Sequence, residues 1–271
     1  MSLGYLTAIR ILGLIASTLI WTASAMAQVV VTGSLQPNGD VGFVTSPNNS
    51  ITFGSQGSIY QMDGFVNVPG YNFGNGSGVS YQLTNGAPPA IGYNFNSSQP
   101  NANQLLLTYY FANNTGQSLS GFQFIYYADP DIGSNFTDEF ATVAGSPSGT
   151  ASFQVGDPSM STIFTNLFNG SLSNTNEEPV GSPGDVSTAL GFKLVSLGVG
   201  DAATFQILMS TDLSTIGSLS VTQYDSIYSD TLTLSGQQLV VPGPTPEPSS
   251  LVLYGTGLIL LALALAHGRR C

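Results

Sequence analysis

The chain has 271 residues, with 4 Lys plus Arg, 15 Asp plus Glu, one His, one Cys and a formal net charge of −11 at pH 7. Charged residues are 7% of the total, far below the roughly 25% of an average soluble domain, and so few cations leave no basic face for nucleic acid. Cys271 alone allows no intrachain disulfide or thiolate metal cluster, and His267 lies outside the body, which excludes a Ser-His-Asp or Cys-His arrangement there.

Residues 1–27 read as a secretory signal. Arg10 carries the positive charge, 11–23 is mostly apolar, and Ala25 and Ala27 put small side chains where a signal peptidase reads them, which predicts cleavage before Gln28. The apolar run is shorter than the roughly 20 residues of a spanning helix. A signal helix that is removed is therefore expected, not a retained anchor.

Residues 28–241 predict a single all-β ectodomain. β-prone segments fall at 29–35, 41–44, 51–53, 58–62, 65–68, 79–83, 91–95, 104–112, 119–128 and 140–143, then at 151–155, 189–195, 203–210, 218–223, 230–234 and 238–241. Phe122-Gln123-Phe124 and Thr204-Phe205-Gln206-Ile207 alternate as strands with one buried face do. Short strands at roughly 8–12-residue spacing, punctuated by Gly and Asn, predict an antiparallel β-sandwich or jelly-roll-like domain. Only 161–168 reads as helix. Two hairpins are expected: 105–112 returning through Asn113-Asn114-Thr115-Gly116 into 119–128, and 190–195 returning through Gly198 and Gly200 into 204–209. No internal repeat is visible, which favours one unit over two, with 90–103 as the alternative boundary.

Few residues in this body carry chemistry. Asp129, Asp131, Asn135, Asp138 and Glu139 offer oxygen ligands at short spacing after a predicted strand, a donor set that suits Ca²⁺. The twelfth position from Asp129 is Phe140, so the loop is not an EF-hand; the competing reading is a solvated acidic loop in which Asp129 opens a turn before Pro130. No other cofactor is implied. Asp138 with Glu139, and Glu177 with Glu178, are adjacent and point to opposite faces on a strand, so neither pair makes a dyad for glycoside hydrolysis. An enzyme is not expected. Tyr60, Tyr71, Tyr81, Tyr93, Tyr109, Tyr110, Tyr126, Tyr127, Tyr224 and Tyr228 either pack the sheets or offer rings to a glycan. Every acid except Glu247 falls in 28–241, where Lys193 is the only cation.

Residues 242–248 form a stiff Pro-rich linker, since proline lacks the backbone donor and fixes φ. The uncharged run 251–266 makes about 24 Å of helix at about 1.5 Å per residue. With Ser249, Ser250 and His267, and with Arg269 and Arg270 snorkelling, 249–271 predicts a short transmembrane helix whose arginines face the cytoplasm. Pro246-Glu247-Pro248, the Gly255-Thr256-Gly257 step and Arg269-Arg270 together resemble the PEP-CTERM sorting domain of Gram-negative surface proteins. The resemblance covers 242–271 and departs from the pattern in having only two arginines, followed by Cys271. It implies processing by an exosortase after signal peptidase, an inner-membrane-anchored intermediate, and display on the cell surface or in the exopolysaccharide matrix of a biofilm. A structural or adhesive role follows. The alternatives are a lectin-like module, Ca²⁺-dependent or not, and a β-sandwich glycoside hydrolase.

Overall fold

The structure, a computed structural model, describes residues 28–32, 50–54, 57–133, 136–225 and 230–241. The signal segment, the predicted strand at 41–44, Asn135, Tyr228 and the whole tail from 242 lie outside the described residues. Among the described residues no helix is long and apolar enough to cross a membrane.

In chain order the strands are β1 (Val29–Thr32), β2 (Ser50–Phe53), β3 (Gly57–Asn67), β4 (Tyr81–Gln82), β5 (Ile91–Ser98), β6 (Gln104–Asn113), β7 (Leu119–Ser120), β8 (Gln123–Asp131), β9 (Glu139–Ala144) and β10 (Ala151–Gly156). The helix α1 (Ile163–Asn169) precedes β11 (Ser187–Lys193), β12 (Ser196–Leu197), β13 (Ala202–Ser210), β14 (Leu219–Asp225) and β15 (Thr231–Val241). The fold is all-β and antiparallel. One sheet runs β1-β2-β3-β8-β11-β10 with β4 also on β3; a second runs β5-β6-β13-β15-β14-β9; β7 and β12 form a two-stranded pair.

Alternation along the strands builds the core. Leu105, Leu107, Tyr109 and Phe111 of β6 and Ala203, Phe205, Ile207 and Met209 of β13 are buried, and they share one cluster with Phe124, Tyr126 and Ala128 of β8. Rings from the two sheets meet there: Tyr109–Phe124 centroids are 4.6 Å apart and Phe124–Phe205 5.2 Å. The opposite face of β8 is buried too. Ile125 and Tyr127, with Phe65 and Ala189, pack under Ile163 and Leu167 of α1. Burial on both faces explains why β8 is apolar from Phe124 to Ala128. The helix ends at Gly170, whose φ of 63° lets its N–H reach the carbonyls of Asn166 and Leu167.

Both expected hairpins are instead crossings between sheets. β6 belongs to the second sheet and β8 to the first, while β11 belongs to the first and β13 to the second. The rings of β6 and β8 meet at tilted angles across the core, so these strands face one another and do not pair edge to edge. Gly121, at φ 69°, splits the segment predicted at 119–128 into β7 and β8. The two crossings are joined by the β7–β12 pair and by buried Asn113, whose Nδ2 donates to the carbonyls of Gln117, Leu197 and Gly198. Two other predicted breaks are continuous strand. Segments 58–62 and 65–68 merge in β3, with a register shift between Ile59 and Gln61, and 230–234 and 238–241 merge in β15 through Gly236. A Cβ at Gly236 would stand 2.5 Å from Phe192 Cζ, so that glycine admits a ring from the facing sheet.

One lateral side of both sheets is closed by a single stretch, 174–184. It bonds to the β10 edge through Val155 N–H to Thr175 O (2.9 Å) and Glu177 N–H to Val155 O (3.1 Å). It bonds to the β9 edge through Ala141 N–H to Glu178 O (2.8 Å), Asn176 Nδ2 to Ala141 O (2.8 Å) and the Glu139–Gly184 pair. The ends of the molecule also differ. β15 begins beside the Glu139–Asp225 pair, since Asp225 N–H donates to Asp230 O, and it finishes at Val241 opposite Ala202, next to the loops that Asn113 ties.

Candidate functional site

The outward face of the first sheet ends in an acidic cleft beside α1. Its position follows from strand pairing. Gln61 of β3 pairs with Asp129 of β8, and β11, which pairs with β8 from Thr188↔Ala128 onward, is entered through Asp185, two residues before its first. The cleft, about 440 Å³ and open to solvent, is lined by Tyr60, Gln61, Asp129, Asp131, Phe136, Pro158, Ser159, Phe164 and Asp185. Phe164 belongs to α1 and packs at a tilt against Tyr127, ring centroids 5.0 Å apart, so the helix forms one wall. Tyr60 and Phe136 stand 45% and 54% exposed at the rim.

Asp129 is only 4% exposed, and its Oδ1 has no hydrogen-bond partner. Burial first, then the neighbouring Asp185, Asp131 and Asp157 carboxylates, push its pKa up to about 8. Asp185 rises to about 6, by burial and then by Asp157, Asp131 and Glu178. Asp131 is raised by burial. Asp157 behaves in the opposite way. Burial would lift it, but hydrogen bonds from Ser159 Oγ (2.7 Å), Ser159 N–H (2.7 Å) and Met160 N–H (2.9 Å) together hold it below the ordinary carboxylate value. Lys193, the body's one cation, sits at the far end of β11 opposite Gln123. Among the described residues no counter-charge faces the cleft.

Glu139 lies beneath the cleft, not on its wall. It is fully buried at the start of β9, and its Oε1 accepts from the Ile132 N–H while Oε2 has no partner. Burial pushes its pKa up to about 9; hydrogen bonds from the Ile132 and Val186 backbones oppose this, and the charges of Asp131 and Asp185 add to it.

Of the residues predicted as ligands, Asp129 and Asp131 therefore share the cleft, Glu139 is buried behind it, Asp138 is half-buried before β9, and Asn135 lies outside the described residues. Among the described residues no three carboxylate, imidazole or thiol groups are close enough together to hold a metal ion. The sequence singles out Tyr60 but not Asp185, Asp157, Gln61, Phe136 or Phe164, which only the packing of β3, β8, α1 and the intervening loops brings to Asp129.

The tyrosines divide clearly. Tyr109, Tyr126 and Tyr127 are buried, and Tyr71, Tyr81 and Tyr93 pack against the core. Tyr224 stacks on Phe140 at 5.1 Å. Tyr60 and Tyr110, 45% and 40% exposed, offer accessible rings. No family model matches the chain, and no curated protein matches it.

Proposed function

We propose that the protein is an exported, non-enzymatic β-sandwich displayed at the cell surface or in the surrounding exopolysaccharide, where it acts as a structural or adhesive component. The observation that carries this reading is the pairing of Ala25-Met26-Ala27 after an apolar run with Pro246-Glu247-Pro248, the uncharged stretch 251–266 and Arg269-Arg270. Such an arrangement suits passage through the membrane, a temporary anchor and release by an exosortase-type enzyme. The body is consistent with it. Two sheets sharing one aromatic core make a compact module in which edge strands β9 and β10 are covered by 174–184, and covered edges suit a protein that works at high density outside the cell. The abundance of acids over one lysine favours solubility and bridging through cations there.

Intact mass of the protein recovered from its native host, combined with fractionation of membrane, surface and medium, tests the reading. A surface or matrix species lacking residues 1–27 and the segment beyond Pro248 is the expected result. A species that keeps the segment to Cys271 in the inner membrane would overturn display in favour of a permanently anchored periplasmic role.

A further inference from the structure

We infer that the cleft formed by Asp129, Asp131, Asp185, Tyr60 and Phe136 binds the free ammonium groups of an amino-sugar polysaccharide. Three observations lead there. Among the described residues no cation faces its carboxylates, and the most buried of them, Asp129, lines the site and keeps an Oδ1 without a hydrogen-bond partner. A charge-assisted hydrogen bond from an ammonium supplies both the missing donor and the missing charge. The carboxylates ring the cleft without converging, and no three of the described acids could share one metal ion. An organic cation with its charge at the end of a larger body meets that spacing better than a bare ion.

The third observation is the wall. Exposed Tyr60 and Phe136, together with Phe164, give the lining aromatic rings, a kind of surface that attracts cations and packs the C–H face of a pyranose. Gln61 and Ser159 add an amide and a hydroxyl of the kind that pair with sugar hydroxyls. A peptide lysine would use the charge but not the paired rings and amide.

The inference rests on the display reading only for bringing the polymer within reach, so location in cells and binding by purified protein fail separately. The test is isothermal titration of the mature, host-processed protein at pH 6.5 and low salt. The probes are a β-1,4-linked glucosamine hexamer, its fully N-acetylated counterpart, tetralysine and Ca²⁺. The free-amine hexamer is expected to bind at least about tenfold more tightly than the acetylated one. Asp129→Asn and, at the half-buried position, Asp185→Asn should each weaken binding by about tenfold while circular dichroism stays unchanged, and Phe136→Ala by several-fold. Equal affinity for both hexamers, or none for either, would overturn the inference. So would tetralysine binding as tightly as the sugar, which would make the site a peptide site, or stoichiometric Ca²⁺ binding that blocks the hexamer, which would make it a metal site.

Discussion

At the scale of single residues, Glu139 shows how burial decides chemistry. A carboxyl with no exposure and one unpartnered oxygen keeps its proton well above the ordinary range, to about pH 9. In the unfolded chain the same group ionises near pH 4.5, so the folded state binds the extra proton between these values and loses stability as pH rises through them. Glu139→Gln keeps the oxygen that accepts from Ile132 and removes the proton to be lost. The variant should match the parent at pH 4 and exceed it at pH 9 by on the order of 1–3 kcal/mol in denaturant unfolding; equal stability at both pH values would show that the carboxyl is hydrated. Gly236 makes a steric point of the same kind. An alanine there meets Phe192 Cζ at 2.5 Å and the Gln206 carbonyl oxygen at 2.9 Å, so Gly236→Ala should cost about 1–3 kcal/mol by overpacking. An unchanged denaturation midpoint would mean that the Phe192 ring swings clear.

At the scale of elements, Asn176 is the joint of the side closure. It sits opposite Val155 in a parallel bridge, gives its amide to Ala141 O, and takes the Glu178 N–H on its side-chain oxygen at 3.1 Å. Asn176→Ala should cost about 1–2 kcal/mol and raise hydrogen exchange at Ala141 and Val155 before the centre of either sheet. Uniform acceleration across the sheets would assign the loss to global unfolding. The strands themselves were largely legible, because alternation such as Thr204-Phe205-Gln206-Ile207 depends only on which side of a ribbon is dry. Their sheet membership was not. A segment that turns back to pair with its neighbour and one that crosses to face it have the same local pattern, and the difference lies in rings such as Tyr109 and Phe124, which meet only after collapse. The same limit applies to the cleft: Asp129 and Asp131 stand out in the sequence, whereas Asp185, two residues before β11, joins them once β11 lies beside β8, and Gln61 joins through the β3–β8 register.

For the whole molecule, the raised acids act together. Glu139, Asp129, Asp185 and the buried Asp63 of β3, which burial raises against hydrogen bonds from Gln82, Gly64 and Thr84, have folded values of about 9, 8, 6 and 6. Each contributes stability that is complete below about pH 4 and lost as pH climbs through its folded value. The thermal midpoint should therefore fall between pH 5 and pH 9, by more than about 4 °C at the usual 2–4 °C per kcal/mol for a chain of this size. A flat profile on calorimetry would show that the cleft is solvated enough to leave its carboxyls ordinary. Asp212, held down to about 2 by Ser210, Ser214 and Gln104 against the opposing effect of burial, contributes in the opposite sense only in strong acid.

The placement of β15 has a mechanical consequence. Its first residue stands by the acidic end of the molecule and its last at the other, roughly 35 Å away at about 3.4 Å per residue. Nine residue pairs tie it to β13 on one side and six to β14 on the other. Tension arriving from beyond Val241 and resisted at the cleft would run along this strand's axis. Both ladders would then bear load in shear, with their hydrogen bonds strained together instead of unzipping one after another.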